Sequence, residues 1–192
     1  MSYSHLFAKN FEKKIQSMIR VNYAGEMGAV KIYNSQIKQT QNPQEKQQLE
    51  EMLDSEVNHF EYFKKISKEL HIPQTIFLPI WKILSSIFGT TTAKHSHKTA
   101  MLYTHAVESV ISKHYAKQIQ ELEDILQHHT QNDHFISQNK QKIQELLEKI
   151  KIFIQEEIEH KTTGETNSQM HKLPFKLMEL ATKTAVIISE KI

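Results

Sequence analysis

Glu56-Val57-Asn58-His59 and Glu157-Ile158-Glu159-His160 are the two stretches that decide the fold of this chain. Both follow the pattern Glu-x-x-His, and each is preceded by another predicted helix that carries one candidate glutamate, Glu26 or Glu108. On a helix, residues i and i+3 share one face, with Cβ atoms about 5–6 Å apart, so each pair can reach one ion. The order Glu, Glu-x-x-His, Glu, Glu-x-x-His is typical of four-helix bundles that hold two iron or manganese ions.

The neighbours of these residues at helical spacing support a buried site. Glu26, Glu56 and Glu157 share their faces with apolar residues, whereas the face around Glu108 is mixed. Burying unpaired carboxylates is costly, and two divalent cations would neutralise four of them. The alternative interpretation places these glutamates at the rim of the bundle, paired with lysines. For the complete ordered set we favour a metal site with six ligands: Glu26, Glu56, His59, Glu108, Glu157 and His160.

The composition favours one all-α domain over residues 1–192. Only four glycines and four prolines occur, while Lys, Glu, Gln, Ile and Leu are abundant. The net charge of +2, without a dense basic run, gives no reason to expect a nucleic-acid partner. The lack of cysteine excludes disulfides, thiol catalysis and cysteine-based zinc sites. Because the N-terminal residues lack the apolar run of a secretory signal, we expect a cytosolic location.

Hydrophobic periodicity predicts four long helices, a short one and a last one. Asn42-Pro43 is predicted to separate the first two, and His71-Ile72-Pro73 to end the second. Polar linkers are predicted at 90–98 and 128–133, and a break at 162–168. The predicted helices cover residues 11–39, 43–70, 79–89, 99–127, 136–160 and 173–190.

Two of these helices carry features with more than one interpretation. Gly25 and Gly28 bracket Glu26, so a neighbouring helix or a ligand could approach closely there. The last helix has an apolar stripe that we expect to dock on the bundle or on its membrane-facing end: Leu177, Leu180, Ala181, Thr184 and Ile188.

Residues 72–93 differ from the rest of the chain because their apolar face is wide and their polar stripe is narrow. The longest stretch without a charged residue, Leu70 to Trp81, has 12 residues, and a membrane-spanning helix needs about 18 or more. Such an amphipathic segment can lie in a membrane interface, with Trp81 and Lys82 near the headgroups. It can equally cap the bundle or form a dimer contact.

The stretches around the six candidate ligands resemble one family closely. They are Met18 to Tyr33, which contains Arg20-Val21-Asn22-Tyr23-Ala24-Gly25-Glu26, then Glu56 to Phe60, Leu78 to Trp81, Ala106 to Glu108 with His114-Tyr115, and Glu156 to His160. Together they resemble the demethoxyubiquinone hydroxylases of ubiquinone biosynthesis, a membrane-associated branch of the ferritin-like di-iron carboxylate proteins. The chain departs from the family pattern at Tyr23, where His is usual, at Glu156, where Asp is expected, and in a longer 128–142 connection.

The resemblance implies a ferritin-like four-helix bundle with an amphipathic crossover helix and a C-terminal helix. It implies Glu26, Glu56 and His59 on one iron and Glu108, Glu157 and His160 on the other, with Glu56 and Glu157 bridging. It also implies a peripheral protein on the cytoplasmic face of a bacterial inner membrane, open to a lipid-soluble quinone and able to meet other ubiquinone-biosynthesis proteins.

Carboxylate-rich ligation with imidazole and open positions suits non-haem iron and O₂. Two Fe(II) ions can supply the two electrons for O₂ activation, so that a benzoquinol ring is hydroxylated by a di-iron monooxygenase. We predict that Tyr115 and His114 are pocket groups that orient oxygen or substrate; the alternative is that both are ordinary core side chains. Two other functional classes are a ferritin-like iron-storage or peroxide-detoxifying protein and a helical scaffold without metal.

Overall fold

A computed structural model of the protein describes residues 3–128 and 134–191. Within those ranges the chain forms six α-helices and no β-strand, which confirms the predicted all-α class. The helices are α1 (Tyr3–Gln39), α2 (Pro43–Glu69), α3 (Leu78–His95), α4 (His97–His128), α5 (His134–Asn167) and α6 (Lys172–Lys191).

The bundle is built from two helical hairpins, α1 with α2 and α4 with α5. Its α1 and α4 run antiparallel, since Asn22 bonds Gln118 while Tyr33, farther along α1, bonds Glu108, earlier on α4. The α3 crossover lies on α1 and α4, and α6 packs on the same two helices. The core between the hairpins is apolar and fully buried, with members such as Ile19, Phe63, Leu122, Ile143, Leu146 and Ile150.

The two ends of α2 follow their predicted signals. Asn42 is the N-cap, and its side-chain oxygen accepts from the backbone N–H groups of Gln44 (2.9 Å) and Glu45 (3.3 Å). Pro43 occupies the first helical turn, where a missing N–H has no cost. At the other end the backbone of His71 has a φ of 52°, a left-handed conformation that a helix cannot continue through.

The predicted polar linker at 90–98 is wrong. Gly89 does not end α3, which continues to His95, and only Ser96 separates α3 from α4. Gly89 marks a close crossing instead, because a Cβ there would lie 2.4 Å from the backbone oxygen of Ile32 on α1. His95 bonds Thr99 at 2.7 Å, so this histidine helps to hold the junction of the two helices.

The predicted break at 162–168 is also wrong, because α5 runs on to Asn167. Gly164 lies inside it, and an added Cβ there would lie 2.7 Å from the backbone nitrogen of His105 on α4. The glycine therefore allows close helix packing rather than ending the helix. Most of the predicted 128–133 loop lies outside the described residues.

The last helix lies within one residue of its predicted bounds but packs through a different face. Phe175, Met178, Thr182 and Ser189 lie toward the bundle, and Ser189 is the most buried of them. Three residues of the predicted docking stripe are exposed instead, Leu177, Leu180 and Thr184, whereas Ala181 lines a cavity of the bundle. Docking of the whole stripe on the bundle is therefore wrong, because α6 has apolar residues on both sides and periodicity alone cannot tell which side is covered. The alternative, that the stripe lies at a membrane-facing end, stays a prediction.

Candidate metal centre

Six buried side chains from four helices converge inside the bundle. They form two groups whose donor atoms lie within 4.8 Å of one another, and both groups contain Glu56 and Glu157. The first group adds Glu26 and His59, and the second adds Glu108 and His160. All six residues are at most 6% exposed.

The two imidazoles present the same nitrogen to the centre. His59 Nδ1 lies 3.1 Å from Glu157 Oε1 and 3.6 Å from Glu26 Oε2. His160 Nδ1 lies 3.1 Å from Glu56 Oε1. On its outer side, His59 Nε2 bonds the carboxylate of Glu156. A carboxylate on the far nitrogen fixes the ring orientation of a metal-binding histidine.

Electrostatics inside the cluster favour added positive charge. Burial raises the pKa of Glu56 and of Glu108 well above the usual value, and the neighbouring carboxylate of Glu157 raises both pKa values further. Burial alone would lower the pKa of His59, but interactions with Glu157 and Glu26 raise it. Glu157 keeps its charge, since His160 and His59 lower its pKa in spite of burial. Buried like charges of this kind are typical of a cation site.

The residues present fit a pair of divalent cations. Among the described residues, His59 Nδ1 and both carboxylate oxygens of Glu157 are buried without a well-aligned hydrogen bond, although His59 Nδ1 and Glu157 Oε1 are only 3.1 Å apart. Buried polar atoms are rarely left unpaired unless they have a further role. Four carboxylates and two neutral imidazoles carry a charge of −4, which two divalent ions balance. Glu56 and Glu157 are the two carboxylates that belong to both groups.

Two tyrosines each form a hydrogen bond with a glutamate of the opposite hairpin. The hydroxyl of Tyr115 on α4 donates to Glu26 on α1, and the hydroxyl of Tyr33 on α1 donates to Glu108 on α4 at 3.5 Å. Burial, together with the facing carboxylates, raises the pKa of both hydroxyls, so both stay protonated donors. Each non-shared glutamate is therefore oriented by the opposite hairpin.

His114 is held as a neutral hydrogen-bond acceptor. The amide of Gln118 donates to His114 Nε2 at 2.7 Å, and burial lowers the pKa of the imidazole to about 4. Gln118 also forms a reciprocal amide pair with Asn22, at 2.8 and 3.0 Å. The buried network fixes His114 against the wall of the adjoining cavity.

A cavity of about 330 Å³ lies directly beside the cluster. Its walls are mostly apolar and come mainly from α1, α3, α4 and α6, while α2 and α5 contribute one glutamate each. Four of the candidate ligands line it, together with Tyr33, His114 and Tyr115: Glu26, Glu56, Glu108 and Glu157. Trp81 and Leu84 line it from α3, and Met178 and Val186 line it from α6.

The structure thus brings all six sequence-predicted ligands together, with Tyr115 touching one of them. The sequence did not identify Tyr33 as a site residue, and it connected Glu156 with the hydrogen bonding of the site without predicting its contact with His59. The signal for Tyr33 was available: Tyr33 follows Glu26 by seven residues, as Tyr115 follows Glu108. The role of Glu156 could not be read from spacing, because it depends on how α2 and α5 face one another.

Apolar side chains are exposed on the outer faces of α3 and α6. On α3 and just before it they are Ile76, Ile80, Ile83, Leu84 and Ile87, each 50–70% exposed. On α6 they are Leu173, Leu177, Leu180 and Ile187. Within the described part of the chain, none of the helices combines the length and the apolarity needed to cross a bilayer. Both apolar faces therefore belong to helices that also line the cavity.

Comparisons with known proteins agree with this architecture. The family model described as "Ubiquinone biosynthesis protein COQ7" matches residues 13–189. A Dictyostelium discoideum protein named NADPH-dependent 3-demethoxyubiquinone 3-hydroxylase, mitochondrial, is 35% identical over 182 residues, 93% of this chain and 77% of that protein. The 3-demethoxyubiquinol 3-hydroxylase of Rhodospirillum rubrum is 29% identical over 186 residues, 93% of this chain and 78% of that protein.

Proposed function

The chain belongs to the family of ubiquinone biosynthesis protein COQ7, and on this basis we propose that it is a hydroxylase acting on the ring of a demethoxyubiquinol. We further propose that it uses O₂ and two iron ions held by the six buried side chains. Iron fits because carboxylate and imidazole ligands with open positions are typical of non-haem oxygenases.

The observation that carries this proposal is the contact between the cluster and the cavity. Two candidate cation sites share Glu56 and Glu157, and both glutamates also line an apolar cavity of about 330 Å³. A binding pocket with apolar walls and a few convergent polar groups suits a substituted ring. An iron-storage bundle needs no such pocket, so the cavity favours the hydroxylase over the storage alternative.

The chain supplies binding, orientation and exclusion of water. Iron, when bound, supplies the electrons that activate O₂. Tyr115 and Tyr33 hold the carboxylates of Glu26 and Glu108 in fixed orientations, and Glu156 fixes the ring of His59. The apolar cavity walls keep bulk water from the reacting ring.

The polar side chains of the cavity wall would orient the substrate. We assign His114 to this task, because it is neutral, lines the cavity and is fixed by Gln118. Because Nε2 accepts from Gln118, the proton of the neutral ring is on Nδ1, and this N–H can donate to a quinol oxygen. Tyr115 lines the cavity and donates to Glu26, so it can also contact oxygen or substrate.

We also propose that the protein rests peripherally on a membrane, at the cytoplasmic face of a bacterial inner membrane. The exposed apolar residues of α3 and α6 support this, because both helices line the cavity through which a long isoprenoid tail would enter. Binding of this type depends on buried apolar area. The same surface is available to other ubiquinone-biosynthesis proteins.

A complementation experiment tests the function directly. The protein is expressed in a strain that lacks its own hydroxylase and accumulates demethoxyubiquinone, and the quinones are analysed by mass spectrometry. We expect ubiquinone to appear and demethoxyubiquinone to fall. Unchanged demethoxyubiquinone, in cells that contain folded and iron-loaded protein, would reject the hydroxylase and leave iron storage as the better alternative.

A further inference from the structure

Gly25 is the glycine whose presence no packing contact explains. All four glycines of the chain lie inside helices, and none has a positive φ. At three of them an added Cβ would lie 2.4–3.1 Å from an atom of a neighbouring helix: Gly28, Gly89 and Gly164. At Gly25 an added Cβ would meet no described atom within 4 Å outside its own stretch of helix.

Neither the helix nor the neighbouring ligand requires glycine at this position. Glycine in a helix interior is less favourable than alanine, so α1 would gain from a side chain. The corresponding place on α4, directly before Glu108, is occupied by Val107, which also lines the cavity. A glutamate in this site can thus follow a β-branched residue.

Gly25 is exposed, and the open space beside it adjoins the cavity beside the cluster, which Gly25 lines. Gly25 lines that cavity next to Glu26, on a stretch of α1 where Gly28 and Ala29 are also short. Glu157 lines the same cavity and is 1% exposed, and neither of its carboxylate oxygens has a well-aligned hydrogen bond among the described residues, although His59 Nδ1 lies 3.1 Å from Oε1. The backbone of Gly25, without a side chain, therefore lines the same cavity as the carboxylates of Glu26 and Glu157.

We propose that Gly25 is a specificity-determining residue, against whose backbone the substrate ring lies flat beside Glu26. The missing side chain leaves room for the ring and its methoxy and methyl substituents. This inference rests on the proposed hydroxylase function and deepens it. It means that α1 keeps a residue unfavourable to the helix because the substrate occupies the space.

The test uses Gly25→Ala and Gly25→Val in the full chain, with Gly164→Ala as a packing control. Because Gly25→Ala replaces an unfavourable helix residue in open space, we expect its Tm to rise by about 2–4 °C. Iron content should stay unchanged. Gly164→Ala should lower the Tm, because its new methyl group meets the backbone of α4.

Ring binding can be measured without turnover, through Trp81. Trp81 is the single tryptophan of the chain and lines the cavity, so a bound quinone should quench its fluorescence. With a short-tailed dimethoxy-methyl-benzoquinone, we expect the Kd to rise about 10-fold or more for Gly25→Ala and further for Gly25→Val. With a short-tailed benzoquinone lacking methoxy groups, the increase should be smaller.

The outcomes separate this inference from the proposed function. A Tm increase together with weaker binding of the larger ring supports the inference. Unchanged binding of both rings by Gly25→Ala, in a protein whose wild type binds and hydroxylates quinol, overturns it and leaves the hydroxylase intact. A fall in Tm or iron content in Gly25→Ala also overturns it, since the glycine would then be structural. A wild type that neither binds nor hydroxylates quinol rejects the proposed function itself.

Discussion

The two hairpins of the bundle, α1 with α2 and α4 with α5, carry the same ligands in different surroundings. Both place a tyrosine seven residues after the first glutamate, and each tyrosine reaches across to the other hairpin. The residue before the Glu-x-x-His motif is Glu156 in α5 but Ser55 in α2. Only the ligands and their tyrosines are duplicated, whereas the outer contacts and the cavity wall differ between the halves.

The difference teaches which features belong to metal binding and which to the substrate. A pair of ions with shared bridges requires two similar halves, and both halves keep that set. In the proposed function the substrate enters the cavity that α3 and α6 line, so the halves are free to differ there.

The largest effect should come from the shared glutamates. Glu56→Ala or Glu157→Ala removes a carboxylate that belongs to both candidate sites, so we expect hydroxylation to be abolished and iron to fall below one per chain. Glu26→Ala or Glu108→Ala affects one site and should leave about one iron. Iron analysis and circular dichroism measure this. Near wild-type activity in either shared-glutamate variant would show that the bridging assignment is wrong.

The next largest effects should come from the two tyrosines that contact the opposite hairpin, and Tyr115 should have a larger effect than Tyr33. Tyr115→Phe removes the close donor to Glu26, and loss of such an outer contact lowers metal affinity or activity about 10–100-fold. Tyr33→Phe removes a longer contact, 3.5 Å, and should have the smaller effect. Titration with Fe(II) or Co(II) under anaerobic conditions gives both affinities. A larger effect at Tyr33 would contradict the interpretation of the two contacts.

The carboxylate of Glu156, which bonds the outer nitrogen of His59, should affect metal binding in one half only. We expect Glu156→Ala to weaken metal binding about 10-fold, because the ring of His59 loses the partner that orients it. Glu159→Ala is the matched control, since Glu159 lies on the same helix, carries the same charge and is exposed. If the two variants bind metal equally well, the contact with His59 has no role in the site.

The smallest effect on turnover should come from the exposed apolar faces. Ile76, Ile83 and Ile87 are 55–70% exposed, and changing all three to Ser should weaken liposome binding and lower turnover of a long-tailed quinol several-fold. A short-tailed quinol needs only the cavity and should be turned over as before.

A second triple variant on the other helix, with Leu173, Leu177 and Leu180 changed to Ser, asks whether α6 contributes to the same membrane contact. If α3 and α6 rest on the membrane together, both triple variants should show the same selective loss on the long-tailed substrate. Equal loss on both substrates with unchanged liposome binding would reject the membrane role.

The sequence was sufficient where short-range spacing decides the outcome. The all-α class, the start of α2 at Asn42-Pro43 and the gathering of six side chains all depend on periods of three to seven residues. Glycine was misleading at Gly89, because a residue that usually ends a helix here lets two helices approach closely. The covered face of α6 and the contact of Glu156 depend on tertiary packing, which one sequence does not contain.

The most direct measurement counts and characterises the iron. Protein loaded anaerobically with Fe(II) and then oxidised is analysed for iron content and by Mössbauer spectroscopy. Two irons per chain that form one magnetically coupled pair are the expected result, because Glu56 and Glu157 belong to both sites. A folded protein with no affinity for Fe(II), or one that holds a single uncoupled iron, would contradict the bridged pair on which the account depends.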